Sequence, residues 1–205
     1  GLWAESNIGG FWGPELRKAG YDGVWVTGKA EAPVFVDIQD QAVRILDADH
    51  LWGLDTYEIQ EAVKEQIGRK NARVAGIGVG GERGVPFSSI LCDHGRVAGR
   101  TGLGAVMGAK NLKAISVSGT GQIPVEFPKP YAVLRGETNR NLRSSAMAVT
   151  LRELGTAGVA DYMDYLGSLP KNGYSRGKLD NVDQVSGSSL EEKYYTCLLY
   201  TSPSP

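Results

Sequence analysis

Two glycine-rich clusters hold the residues whose types and spacing could do chemistry. The first is Ser6-Asn7-Ile8-Gly9-Gly10-Phe11-Trp12-Gly13-Pro14. The second is Gly95-Arg96-Val97-Ala98-Gly99-Arg100-Thr101-Gly102-Leu103-Gly104-Ala105-Val106-Met107-Gly108. Glycine lets a backbone approach a ligand closely and adopt positive φ. A glycine turn that opens a helix presents free N–H groups, which suit anions such as phosphate. The second cluster adds Arg96 and Arg100, four residues apart. They share a face if the stretch is helical and can converge if it is a loop. Their guanidinium forks suit phosphate or a planar, carbonyl-bearing ring. No standard phosphate motif is met. Gly102, Gly104 and Gly108 read GxGxxxG, one residue off the dinucleotide pattern, and no Gly-Lys-Ser/Thr closes a P-loop. The plain alternative is that these glycines serve tight packing in a small α+β fold.

Other reactive side chains are sparse. His50 and His94 are the only histidines, and His94 lies two residues from Cys92. A metal needs more ligands than this neighbourhood offers, so His94 reads as a structural or cofactor-side hydrogen-bonding group. Glu5 and Glu15 flank the first cluster and read as solvated or capping carboxylates rather than general bases. Trp3, Trp12, Trp25 and Trp52 read as core or interface residues, with Trp12 the candidate for cofactor contact.

The elements that must position the clusters follow from hydrophobic periodicity. Val24-Trp25-Val26, Val34 to Ile38, Val43 to Leu46, Arg73 to Ile77 and Pro86 to Leu91 read as strands, with a hairpin turn at Gln39-Asp40-Gln41. Asp55 or Thr56 caps a helix carrying Ile59, Ala62, Val63 and Ile67 at helical spacing. Gly13 to Gly28 and Gly104 to Gly119 align at a constant offset of 91, each reading glycine turn, short helix, apolar strand, glycine. Two copies of one unit imply half-domains related by a pseudo-twofold. Coincidence is the alternative, because only glycines and apolar residues match. After Pro128 and Pro130 the texture becomes helical over Tyr131 to Arg135, Asn141 to Leu154 and Val159 to Leu166, and 170–189 reads as a loop.

Composition narrows the function classes. The 205 residues carry a net charge of −1, which argues against a general nucleic-acid binder. No apolar run of about 18 residues indicates a membrane span. The two cysteines make no disulfide framework and suit a reducing cytoplasm. The 28 glycines follow no period, so they are neither linker nor collagen. The chain opens Gly1-Leu2-Trp3 without a Met, and is expected to be part of a longer protein.

Trp3-Ala4-Glu5-Ser6-Asn7-Ile8-Gly9-Gly10-Phe11-Trp12-Gly13-Pro14-Glu15-Leu16, then Ala19-Gly20-Tyr21-Asp22-Gly23, resembles the aldehyde ferredoxin oxidoreductase family. So do Asp47-Ala48-Asp49-His50-Leu51-Trp52-Gly53 and, most specifically, Ala98 to Ile115. The resemblance is strong from Gly1 to about Gly121, weaker to about Lys193 and absent after Cys197. It implies an α+β fold: a pseudo-duplicated mixed-sheet pterin-binding domain over 1–124, incomplete at its N-terminus, then the start of a helical domain over 125–196. It implies a tungsten (or molybdenum) bis-pterin cofactor and a 4Fe–4S cluster in the intact protein. It further implies oxidation of a small aldehyde to a carboxylic acid, with electron transfer to ferredoxin, while a homo-oligomer stays open.

By motif position the resemblance assigns pterin contacts to Asn7 and Gly9 in the first cluster. In the second it assigns Arg96, Val97, Gly99 and Arg100. Val97 stands where the family often has alanine and would act through its backbone. The metal is held by pterin sulfurs, so no protein ligand to tungsten is expected, and the acid/base residues are expected outside this chain. The family's cluster motif is Cys-x2-Cys-x3-Cys. Cys197 falls where the first of these stands, but positions 200 and 204 are Tyr and Ser. Residues 197–205 are therefore expected to be a non-native tail, with Cys197 a cluster ligand only in the intact parent. Two other readings remain: a relative reducing an aromatic acyl thioester with the same cofactor, of benzoyl-CoA-reductase type, and a non-catalytic phosphate- or nucleotide-binding module.

Overall fold

The computed structural model describes residues 3–169, 173, 175–176 and 178–193. The chain divides into two compact units, Gly1–Pro124 and Val125–Pro205. The first runs α1 (Trp12–Lys18), β1 (Val34–Gln39), β2 (Ala42–Asp47), α2 (Glu58–Ile67), β3 (Arg73–Gly76), α3 (Val79–Glu82), β4 (Ile90–Cys92), β5 (Arg96–Ala98), α4 (Leu103–Ala109) and β6 (Leu112–Ser118).

One mixed sheet organises this unit, in the order β2-β1-β6-β3-β4-β5. The β1–β2 hairpin forms where alternation placed it, with Val36 opposite Ile45 and Asp40 turning the chain at φ 48°. β6 pairs parallel with β1 and antiparallel with β3. Its near-continuous burial fits a central strand covered on both faces. α2 covers one face, packing Val63 with Phe35, Leu51, Val74 and Ala114. On the other, α1 packs Leu16 and Ala19 on Ile38 and Val117, and α4 packs Met107 near Ile77 and Leu112. Val36 and Ile115 touch both of those clusters and join them. Each fully buried large apolar side chain contributes about 1.5–3 kcal/mol.

Asp55 starts α2 as expected. Its Oδ1 accepts the N–H groups of Tyr57 (2.7 Å) and Glu58 (2.9 Å), while Glu58 Oε2 accepts from Asp55 N (2.9 Å). This reciprocal box satisfies donors that a helix start leaves open. The Glu58 and Tyr57 hydrogen bonds hold the Asp55 carboxyl below the usual carboxylate range.

Two buried polar clusters tie the sheet to its flanks. Asp37, fully buried on β1, accepts from Arg44 (2.6 Å), from Ser116 Oγ (2.7 Å) and from Arg69. Lys113 on β6 pairs with Glu82 of α3 and donates to Leu54 O (2.9 Å), its ammonium 6.0 Å from the Trp52 ring centroid. Glu82 in turn accepts from Gly53 N at 2.9 and 3.1 Å. The Trp52-Gly53-Leu54 stretch is thereby fastened to the sheet.

The offset repeat is visible in the helices: α1 and α4 lie 91 residues apart end for end. The strand halves differ. The second copy supplies β6, whereas Val24-Trp25-Val26 forms no strand. Both ladder sides of β1 are taken by β2 and β6, and Val24 and Trp25 stay exposed. The strand expected over Pro86 to Leu91 shortens to β4. Pro86 lacks a ladder donor, and Ser88 turns back to Val85 O through both its N–H and its hydroxyl.

The second unit is helical: α5 (Pro128–Ser144), α6 (Ala146–Leu154), a 3-10 segment over Gly155–Val159, α7 (Ala160–Tyr165) and α8 (Val182–Val185). Pro128 and Pro130 sit in the first turn of α5, where a missing N–H costs nothing. α5 runs unbroken across the gap expected between two helices. Residues 182–185 and 187–193 are helical, so the loop expected over 170–189 is partly helix.

Candidate functional site

The two glycine clusters meet. Ser6 Oγ donates to Gly99 O at 2.7 Å, across 93 residues of sequence. A cleft of ≈ 530 Å³ lies there, lined by Glu5, Ser6, Asn7, Gly99, Arg100 and Thr101. That volume falls in the range of small-molecule and cofactor clefts, about 300–1,000 Å³.

The floor of the cleft is a strained turn. β5 ends at Ala98, and the chain then takes three successive left-handed residues, Arg100 (φ 60°), Thr101 (54°) and Gly102 (70°), before α4. Arginine and β-branched threonine there cost about 1–2 kcal/mol each. Such strain is found where function requires a particular backbone shape. Only glycine fits at 102, because a Cβ would lie 2.1 Å from Pro86 O.

The structure separates the residues expected to act together. Asn7, Gly99 and Arg100 line the cleft. Arg96 and Arg100 do not share a helical face, because Arg96 stands on β5 and Arg100 in the strained turn. The Arg96 side chain instead lies against the first cluster: a Cβ on Gly9 would be 3.9 Å from its NH1, and one on Gly10 2.9 Å from its Cγ. Val97 is exposed and, as the next residue of the strand, points to the opposite face of β5. Trp12 is committed to the core edge, its indole N–H donating to Ile115 O at 3.0 Å. Glu15 accepts from Gly119 N (3.0 Å), a structural role. His94 Nε2 lies 3.2 Å from Glu61 Oε1 and its ring stacks near Tyr57, on the surface. Cys197 lies outside the described residues.

Residues the sequence reading passed over hold the first cluster in place. The β4–β5 hairpin turns through Asp93 (φ 49°), His94 (52°) and Gly95 (143°). Asp93 Oδ2 accepts from Phe11 N at 2.5 Å, and its Oδ1 lies 3.3 Å from Arg73 NH1. Buried Cys92 has its Sγ 4.0 Å from Gly9 O. Burial, then the Asp93 charge and hydrogen bond, push this thiol up to about 12. The signal available in the sequence was Asp-His-Gly between two short apolar runs, a turn whose first residue can face inward.

Comparison with known proteins gives the arrangement a context. A family model described as the aldehyde ferredoxin oxidoreductase N-terminal domain matches residues 1–119. A tungsten-containing aldehyde ferredoxin oxidoreductase of Pyrococcus furiosus is 37% identical over 190 residues, 92% of this chain and 31% of that protein. One from Thermococcus kodakarensis is equally similar, 37% over 190 residues, 92% of this chain and 31% of that protein. This chain thus spans about a third of the length of these relatives. Among solved structures, the active-site complex BamBC of benzoyl coenzyme A reductase, in complex with 1,5 dienoyl-CoA, superposes with a TM-score of 0.69 at 34% identity. The match covers 78% of this chain and 26% of that one. The chain belongs to the aldehyde ferredoxin oxidoreductase family.

Proposed function

We propose that this chain is one side of the pterin seat of a tungsten-bis-pterin oxidoreductase that oxidises aldehydes to carboxylic acids. The observation that supports it best is the cleft where Ser6-Asn7 meet Gly99 and the strained Arg100-Thr101-Gly102 turn. The donor set fits a pterin: the Asn7 carboxamide both donates and accepts, and the Arg100 fork suits a ring carbonyl or a phosphate. Gly9 and Gly99 leave backbone open to close approach. Among the described residues beyond its chain neighbours, the only atom within 4 Å of a Cβ on Gly9 is Arg96 Nη1, at 3.9 Å. Arg96 then supplies positive charge beside the first cluster, and Val97 its backbone. The tungsten-pterin centre, when bound, supplies the two-electron chemistry, and the protein supplies binding, orientation and electrostatics. In the full-length cytoplasmic protein Cys197 would be one ligand of a 4Fe–4S cluster, which would supply electron transfer to ferredoxin.

The BamBC likeness favours a second reading of the same seat, in which the full-length protein reduces an aromatic acyl thioester. Metal and pterin analysis of the full-length protein tests the shared part. Stoichiometric tungsten and pterin are expected, and their absence would sink both readings. Viologen-linked turnover with an aldehyde, against an aromatic acyl thioester, then divides them.

A further inference from the structure

Residues 6–11 of the first cluster are a loop with no ladder of its own before α1 begins at Trp12. It is nonetheless pinned at three consecutive residues. Gly9 O lies 4.0 Å from the Cys92 thiol, whose single proton, kept on by burial, is shared between that carbonyl and Asp93 Oδ2 at 3.9 Å. Gly10, at φ 96°, is pressed against Asp93, so that a Cβ would lie 2.4 Å from Oδ2. Phe11 is held twice: its N–H by Asp93 Oδ2, and its ring by the Arg73 guanidinium, 4.8 Å from the ring centroid. Asp93 and Arg73 also meet each other, and the Asp93 side chain is only 8% exposed. Hydrogen bonds to an ionised, nearly buried carboxylate are the strong ones.

We infer that Asp93, with Arg73, is a positioning residue that latches the Asn7–Gly9 loop to the β4–β5 hairpin. It sets the distance between the two halves of the cleft without lining the cleft itself. The inference rests on the pterin-seat reading for its consequence. β3 carries Arg73, and the β4–β5 hairpin carries Asp93 and Arg96 and runs on to Gly99 and Arg100. One carboxylate therefore references the first cluster to the rigid sheet from which the second springs. Loss of the latch leaves the loop with the Ser6–Gly99 hydrogen bond, the packing of the Arg96 side chain on Gly9 and Gly10, and the Cys92–Gly9 contact.

The test uses Asp93→Ala, Asp93→Asn and Arg100→Ala in the full-length protein, reading pterin per polypeptide, and amide exchange in the 205-residue chain. Asp93→Asn keeps an acceptor for Phe11 N–H but loses the charge facing Arg73. Asp93→Ala is expected to lower pterin content about tenfold, the scale seen when an orienting group behind a ligand is removed. It is also expected to speed exchange at Phe11 with the β6 amides still protected. Asp93→Asn should restore slow exchange and most of the pterin. Wild-type pterin content in Asp93→Ala overturns the latch. If Arg100→Ala then loses pterin, the latch alone fails; if it too retains pterin, the seat reading fails with it. Equal loss of protection in β6 and at Phe11, unrescued by Asp93→Asn, would make Asp93 a general stability residue and overturn the latch as well.

Discussion

Replacing Lys113 with Met removes one charge from a pair that has almost no access to water. The side chains of Lys113 and Glu82 are 0% and 4% exposed. Methionine keeps most of the lysine stem's packing, so the change isolates the ammonium. Glu82 would keep the Gly53 N–H (2.9 and 3.1 Å) and lose its counter-ion, while Leu54 O would lose its donor. An uncompensated buried charge of this kind costs about 3–5 kcal/mol. At about 3–5 °C per kcal/mol for a domain of this size, the midpoint of melting should fall by roughly 10–20 °C. Glu82→Gln removes the orphaned charge, so Lys113→Met/Glu82→Gln should be more stable than Lys113→Met alone. The coupling in the double-mutant cycle should be at least ~2 kcal/mol. The assay is chemical denaturation of the chain followed by Trp fluorescence, since Trp52 sits beside the pair. Additivity of the two single changes would refute the reasoning, as would a Lys113→Met loss under ~1 kcal/mol.

Other outcomes follow from single features. Gly108→Ala places a Cβ 2.0 Å from Gly81 O at the α3–α4 contact, and should cost about 1–3 kcal/mol or more in denaturant titration. Arg100→Ala, on an exposed side chain, should leave the chain's melting unchanged while lowering pterin content of the full-length protein. The Cys92 thiol should resist iodoacetamide at pH 8 until the chain unfolds. Its folded value lies above its ordinary value of 9.0, so its contribution to stability is complete below pH 9. That contribution should be lost as pH rises toward about 12, read as a falling denaturation midpoint.

Local chemistry made part of this fold readable in advance. The Val34–Asp47 hairpin announced itself by alternation around a short polar turn, and Asp55-x-x-Glu58 announced the start of α2. α1 and α4 followed from a glycine turn before a helical run. Val24-Trp25-Val26 looked equally strand-like, but it joins no ladder: β1 is paired on both sides by β2 and β6, and Val24 and Trp25 stay exposed. Asp37 and Lys113 sit inside strand patterns where a charged residue reads as facing solvent. Both are buried because Arg69 and Glu82, distant in sequence, arrive to pair with them. The cleft was legible as two clusters with the right residue types. The latch was not, because Asp93, Arg73 and Phe11 become neighbours only once β3 and the β4–β5 hairpin have paired.

A crystal structure of the tungsten-loaded full-length protein tests the central claim most directly. The account predicts a pterin within hydrogen-bonding distance of Asn7 and Arg100, in the cleft closed by Ser6 and Gly99. Pterin bound elsewhere, with Asn7 and Arg100 both facing bulk water, would contradict it.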